Sequence, residues 1–245
     1  MKIRIIRNAM LLLEIQSVTI LVDPFFMPWS IGMTWPPPVM TVDELPPCQL
    51  ILCTHPHIDH FDLRPVLKRW PDVPVVVPQG VERRARRNGA TSIVSPAMWE
   101  VYNHEACGAT AVSVTPVPAN HGGIVQSYIL QTDGGKTLYL AGDTRYTEDM
   151  RIIAERFPSL DVALMPVEGL SFFGKMVAMD PQEAFDATQI LRPQIVVPIH
   201  RDLRFNLPIG KYMGTIQAYV DKIREANLPT EVRILAAGEI LHLED

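Results

Sequence analysis

The sequence predicts an α/β fold built on one core across residues 1–245, and three observations lead there. Short β-like runs alternate with helical segments in two blocks, with no linker between the blocks. A chain of 245 residues with 47% hydrophobic content is long and apolar enough to fill one large core. Four of the β-like runs end in residue types that bind metal, as expected where loops leave the carboxyl ends of strands.

The elements follow in order. Residues 3–6, 11–15 and 18–22 are apolar runs expected to open the chain as an antiparallel meander. The run Met10-Leu11-Leu12-Leu13 is interrupted by Glu14 and Gln16 and lacks a small-residue cleavage site, so it reads as a strand rather than a signal peptide. Residues 27–47 are proline-rich and carry Trp29 and Trp35; they predict a long, restricted loop that is a candidate wall for an active site. Residues 49–54 read as a buried strand. Residues 62–70 predict a short helix with Asp62 at its N-cap, and 82–87 another that ends at Gly89. The arginines of that second helix read as a solvated face with cations near the negative end of the dipole. Residues 111–118, 136–141 and 194–199 predict further strands. Asp180-Pro181-x-Glu183 is a capping pattern with proline at the first helical position, starting a helix to about Leu191, and 215–226 predicts the last helix.

The segment His55-Pro56-His57-Ile58-Asp59-His60 is the most informative in the chain. It places three of the seven histidines and an aspartate directly after the 49–54 strand. Neutral imidazole and carboxylate are ligands for zinc, manganese or iron, and two histidines one residue apart can aim at a single ion. Adjacent Asp59 and His60 point in different directions, so they suit a second ion beside the first. His121, Asp143 and His200, at the ends of the other three strands, supply the ligand types such a site would still lack. Burying this much polarity without a partner would be costly.

On these residues the chain resembles the metallo-β-lactamase-fold hydrolases: His-x-His-x-Asp-His, then a later histidine, Gly142-Asp143-Thr144 and a final histidine after a β-run. The likeness runs from about Leu11 to His200. Asp62 after the cluster, Leu21-Val22-Asp23-Pro24-Phe25, Met179-Asp180-Pro181-Gln182-Glu183-Ala184 and Val197-Pro198-Ile199-His200 resemble the branch containing ascorbate-6-phosphate lactonase and N-acyl-phosphatidylethanolamine phospholipase D. The resemblance implies a four-layer αββα sandwich with the metal site along one edge of the paired sheets. It implies that His55, His57 and His121 hold one metal, Asp59, His60 and His200 the other, and that Asp143 bridges them. The cofactors implied are two divalent ions per chain, zinc or manganese. Two departures stand out. Relatives usually carry Gly-His where this chain has Arg7-Asn8-Ala9, and an aromatic with Gly-Thr-Phe where it has Arg201 to Phe205; neither change is expected to touch a ligand.

A dinuclear site suits hydrolysis. Water held between ions about 3.5–4 Å apart has its pKa lowered from about 15.7 towards 7 and can attack a carbonyl or phosphorus. Asp59 is the expected catalytic residue, orienting the nucleophile and accepting its proton. Asn120 and Thr144 sit beside ligands and are candidates to orient them. Arg201, Arg145 and Tyr146 are candidate substrate-binding residues, with Lys175 and Arg204 as further cations, since guanidinium can hold phosphate or carboxylate. The expected function is a metal-dependent hydrolase of a phosphoester or lactone/ester bond in a small, anionic substrate. Two alternatives stay open on the same fold: an iron-dependent redox enzyme, and a catalytically silent metal-binding protein.

Composition narrows the setting. A formal charge of −5 argues against a general nucleic-acid binder. No apolar stretch approaches the ~20 residues of a membrane span. Cys48, Cys53 and Cys107 are odd in number and without paired spacing, which reads as reduced thiols in the cytoplasm. The expected partner is a small-molecule substrate, and a homo-oligomer is left open.

Overall fold

Alternation in the opening strands sets up two buried faces. In strand Met10–Ile15, Leu11 and Leu13 join one core cluster while Met10 and Leu12 join another, as successive side chains of a strand must. The computed structural model describes every residue except 16, 17, 107, 108, 133 and 245, with backbone only at 109 and 110. Cys107 lies outside the described residues.

Two seven-stranded sheets carry the fold. The first runs Ile240–His242, Lys2–Arg7, Met10–Ile15, Val18–Val22, Leu50–Leu52, Val75–Val76 and Ile93–Val94; the expected meander supplies its antiparallel half, and its last four strands are parallel. The second runs Glu231–Val232, Ile195–Pro198, Val162–Met165, Thr137–Leu140, Ser127–Thr132, Ala109–Val117 and Tyr102–Ala106. It too is half parallel and half antiparallel.

The sheets bury their inner faces against each other. Ile3, Leu11, Leu13, Ile20 and Leu52 of the first share a cluster with Val112, Tyr128, Leu138, Leu164 and Val197 of the second. The outer face of the first sheet is covered by α1 (Leu63–Arg69) and α2 (Glu82–Arg87) through Leu63, Val66, Leu67 and Ala85. The outer face of the second is covered by α3 (Asp149–Arg156), α4 (Pro181–Leu191) and α5 (Ile216–Glu225) through Met150, Ile153, Ala184, Leu191, Tyr219 and Ile223. The layers are therefore helix, sheet, sheet, helix, the αββα sandwich that the resemblance implied.

Local signals behaved unequally. Asp180 caps α4 by accepting from the backbone N–H groups of Gln182 and Glu183 at 2.9 Å, with Pro181 leading the helix. Asp62 occupies the N-cap position of α1 but makes no capping bond; its carboxylate accepts from Phe26 N–H at 3.0 Å and so ties down the segment after Pro24. The 27–47 stretch is not featureless. It folds a short ribbon, Trp29–Ser30 against Met33–Thr34, that Arg204–Phe205 extends. A second ribbon pairs Leu170–Phe172 with Lys175–Ala178 and Gly210–Tyr212. Both ribbons lie outside the main sheets.

Candidate metal centre

The seven ligand-type residues foreseen in the sequence meet at one place. Strand Leu50–Leu52 delivers His55, His57, Asp59 and His60 from the first sheet. Strands Ala109–Val117, Thr137–Leu140 and Ile195–Pro198 deliver His121, Asp143 and His200 from the second. Ligand atoms within 4.8 Å of one another form the sets His55/His57/His121, His55/His60/Asp143 and Asp59/His60/His200. Asp143 Oδ2 lies 3.9 Å from His55 Nε2, 3.4 Å from His60 Nε2 and 3.1 Å from His200 Nε2. Asp59 Oδ2 is 3.2 Å from His200 Nε2, and His121 Nε2 is 3.1 Å from His57 Nδ1. The two loops can approach because residue 142 is glycine. Its φ is +60°, and a Cβ there would sit 2.9 Å from Thr54 Cβ.

A chain of hydrogen bonds fixes which ring nitrogens face inward. Asp23, fully buried, accepts from Thr54 N–H and Thr54 Oγ1 at 2.7 Å each and from His60 Nδ1 at 2.9 Å. A carboxylate only accepts, so His60 Nδ1 carries a proton and Nε2 is the nitrogen that faces inward. The single hydroxyl proton of Thr54 goes to Asp23; its contact with His55 Nδ1 at 3.0 Å must therefore be donated by the histidine. His121 Nδ1 donates to the Val177 carbonyl. His55 and His60 are thus held with Nε2 unpartnered, and His121 with Nε2 turned towards His57, the arrangement in which outer partners hold metal ligands. His55 Nε2, His60 Nε2 and Asp143 Oδ1 are buried and have no hydrogen-bond partner among the described residues. Buried polar atoms left so are expensive unless a cation takes them up, and the donor set of five imidazoles and two carboxylates fits divalent ions.

Charge is unevenly spread. Burial, with His60 and the other nearby imidazoles, holds His55 well below the usual histidine range, and burial with His121 lowers His57. Burial also disfavours charge on His60, but Asp143, Asp59 and Asp23 outweigh it and hold that imidazole well above the usual range. His200 is raised in the same way by Asp143 and Asp59. Asp59 and Asp143 remain carboxylates, since the surrounding histidines overcome their burial.

Asp23 and Thr54 were not foreseen as site residues. Asn8 was expected to leave the ligands alone, and that needs correcting: its Nδ2 donates to Asp59 Oδ2 at 3.4 Å, and its carbonyl accepts from His200 N–H at 3.2 Å. Asn8, Asp23 and His200 all adopt positive φ (53°, 45° and 58°), backbone strain gathered at the centre. Behind them Arg7 is buried, with its guanidinium 4.3 Å from the Phe25 ring centre and donating to the Met27 carbonyl. Burial lowers its pKa to about 10, with Asp202, Asp59 and Asp62 partly offsetting it.

The remaining candidate residues have partners of their own. Asn120 does not reach His121; its amide donates to the Tyr146 carbonyl at 3.3 Å. Thr144 Oγ1 accepts from Asn120 N–H at 2.9 Å and donates to the Arg145 carbonyl, pinning the His121 loop to the Asp143 loop rather than touching a ligand side chain. Arg201 turns its guanidinium to the Leu235 carbonyl, Arg145 pairs with Glu183, and the Tyr146 hydroxyl donates to Glu148 at 2.9 Å. None of the three lines the cavity over the centre, nor do Lys175 and Arg204, which are exposed. That cavity, about 280 Å³, is lined by the candidate ligands His57, Asp59, His121, Asp143 and His200, with Met33, Trp35, Leu170, Phe172, Val177 and Leu203 around them. The 27–47 loop does wall the site, through Met33 and Trp35. Cys48 and Cys53 are free and buried, and burial pushes the Cys48 thiol up to about 12, so neither is a reactive group.

Comparison with known proteins agrees with this geometry. A family model described as a beta-lactamase superfamily domain matches residues 18–201. A Thermus thermophilus protein named UPF0173 metal-dependent hydrolase is 31% identical, covering 99% of each chain. Among solved structures, Igni18, a metallo hydrolase from the archaeon Ignicoccus hospitalis, superposes with a TM-score of 0.80 at 24% identity, covering 100% of this chain and 98% of that one. An isothiocyanate hydrolase from Delia radicum gut bacteria gives 0.78 at 18% identity, covering 99% of both.

Proposed function

The chain belongs to the beta-lactamase superfamily domain family and is a metal-dependent hydrolase, and from that premise we propose that it cleaves a phosphoester or lactone/ester bond of a small molecule using two divalent ions, zinc or manganese. The observation that carries the reading is the convergence of seven ligand-type side chains with buried, unpartnered Nε2 and carboxylate atoms. His55, His57 and His121 are assigned one ion and Asp59, His60 and His200 the other. Asp143, close to histidines of both sets, is assigned the bridge. When bound, such ions lower the pKa of a water held between them and stabilise negative charge that develops on the substrate.

The chain's own groups do the rest. Asp59 is ionised, lines the cavity and is held by Asn8 and His200; it orients the attacking water and accepts its proton at Oδ2. Asp23 and Thr54 keep His60 and His55 in the tautomer that leaves Nε2 free. The apolar walls exclude bulk water, which strengthens every charge interaction at the floor. The lactone alternative rests on the resemblance to the ascorbate-6-phosphate lactonase branch. The enzyme is assigned to the cytoplasm and to a single domain over 1–245. Among the described residues no helix is long and apolar enough to cross a membrane.

The test is turnover of a generic phosphodiester and a simple lactone by metal-replete protein, repeated after chelation and after return of zinc or manganese. Hydrolysis of at least one, abolished by chelation, restored by the ions and reduced at least about 100-fold in Asp59→Asn, is the expected result. Turnover that survives complete metal removal, or iron-dependent oxygen consumption in its place, would overturn the reading.

A further inference from the structure

We propose that the cavity over the metal centre selects a compact, uncharged ester or lactone bearing an apolar side group, and discriminates against substrates that carry charge away from the scissile bond. The proposal rests on the hydrolase reading above and adds the substrate class to it. Every residue lining the cavity outside the candidate ligands is apolar: the six already named, and Ile58. No lysine or arginine is among the lining residues: Arg201 turns to a backbone carbonyl, Arg145 to Glu183, and Arg7 lies outside the lining against the Phe25 ring. A carboxylate or phosphate reaching past the metals would be desolvated against Trp35, Phe172 and Leu203 with no cation to balance it; the one N–H there, on Trp35, is neutral.

The division of labour in the fold supports this. The main sheets supply the ligands, whereas Met33, Leu170, Phe172 and Val177 come from the two ribbons. The walls are also braced. Trp35 packs edge-on against Phe25 with ring centres 4.8 Å apart, and Leu203 N–H donates to the Tyr212 hydroxyl at 3.0 Å. A volume of about 280 Å³ is at the small end for ligand pockets, which run from about 300 to 1,000 Å³. It suits one ring or a short branched chain rather than a phosphorylated sugar. In the reaction water adds its oxygen to the acyl carbon, the acyl C–O bond breaks, and one proton of the water ends on the departing alkoxide. The products are a carboxylic acid and an alcohol, and no electron carrier is needed.

The experiment compares methyl phenylacetate with methyl 4-carboxyphenylacetate on the metal-loaded enzyme, alongside calorimetric titration of the unreactive ether analogues of both. The neutral ester should have a kcat/KM at least about tenfold higher, mostly through KM, and its ether should bind with the same preference. Phe172→Lys, at a half-buried ribbon position, should narrow the gap at least about fivefold with unchanged metal content, while Phe172→Leu keeps it. Equal kinetics for the two esters, a preference for the carboxylate, or no difference between the ethers, including no binding of either, would overturn the proposal. Absence of ester turnover with ether discrimination intact would count against the hydrolase reading instead, because the ethers report the cavity alone.

Discussion

Replacing Asp23 with asparagine isolates the outer hydrogen-bond chain. The residue has φ 45°, a left-handed conformation that asparagine tolerates as well as aspartate, so the backbone should not move. One amide oxygen can still accept from Thr54 N–H. The NH₂ then replaces Oδ2, where the Thr54 hydroxyl and His60 Nδ1 both donate now, at 2.7 and 2.9 Å. Donor would face donor. In the neutral imidazole that an ion requires, the inexpensive escape is to keep the proton on Nε2, which removes the lone pair meant for the second ion. Loss of an outer partner of a metal-bound histidine costs about 10–100-fold in affinity or activity, and the tautomer argument puts Asp23→Asn at the upper end, about 2–3 kcal/mol. The assay is chelator competition for metal affinity with turnover in parallel, and circular dichroism as the check on folding. A folded Asp23→Asn protein with wild-type metal affinity and turnover would refute the reasoning.

Gly142→Ala should lower stability by about 1–2 kcal/mol from its positive φ alone, and should also weaken metal binding by pressing on Thr54; an unchanged melting temperature and metal content would contradict the close approach. Asn120→Ala should keep turnover within about threefold, because its amide meets only an exposed backbone carbonyl. Thr144→Val, at a fully buried position, should cost about 1–3 kcal/mol in denaturant unfolding by leaving Asn120 N–H unpaired, and equal effects from the two substitutions would be wrong. His60 holds its proton well above the usual range in the protein without metal, so metal uptake at pH 7 must displace it. Calorimetry in two buffers of different ionisation enthalpy should register about one proton or more released per chain, and none would contradict the charge distribution.

Much of the centre was legible because each ligand ends a strand whose apolar run is visible in the sequence. His55, His121, Asp143 and His200 needed no contact information to be grouped, only the expectation that strand ends converge. The αββα layering was reached by resemblance; alternation such as that of Leu11 and Leu13 against Met10 and Leu12 gives two-sided burial but not which sheet covers which. Asp23 stayed hidden because Asp-Pro after a strand reads as ordinary turn chemistry, and its partners are 31 and 37 residues away. Asn8 meets Asp59 across 51 residues, a pairing that its local sequence does not announce. Standing next to a ligand in sequence does not place a side chain in the pocket, because neighbouring side chains in extended backbone face opposite ways, and Arg201 and Arg145 turn to other partners. The ribbon strands, two to four residues long, are too short to leave a periodic signature, so the apolar walls could not be assembled from sequence.

The central claim is that seven side chains form a two-ion centre, and metal stoichiometry tests it most directly. Protein expressed with ample zinc or manganese, desalted and analysed by inductively coupled plasma and native mass spectrometry, should carry close to two ions per chain, because a single tetrahedral ion needs only three or four of the ligands present. His57→Ala should lose metal and activity together. A metal-replete wild-type chain that holds one ion or fewer would contradict the account.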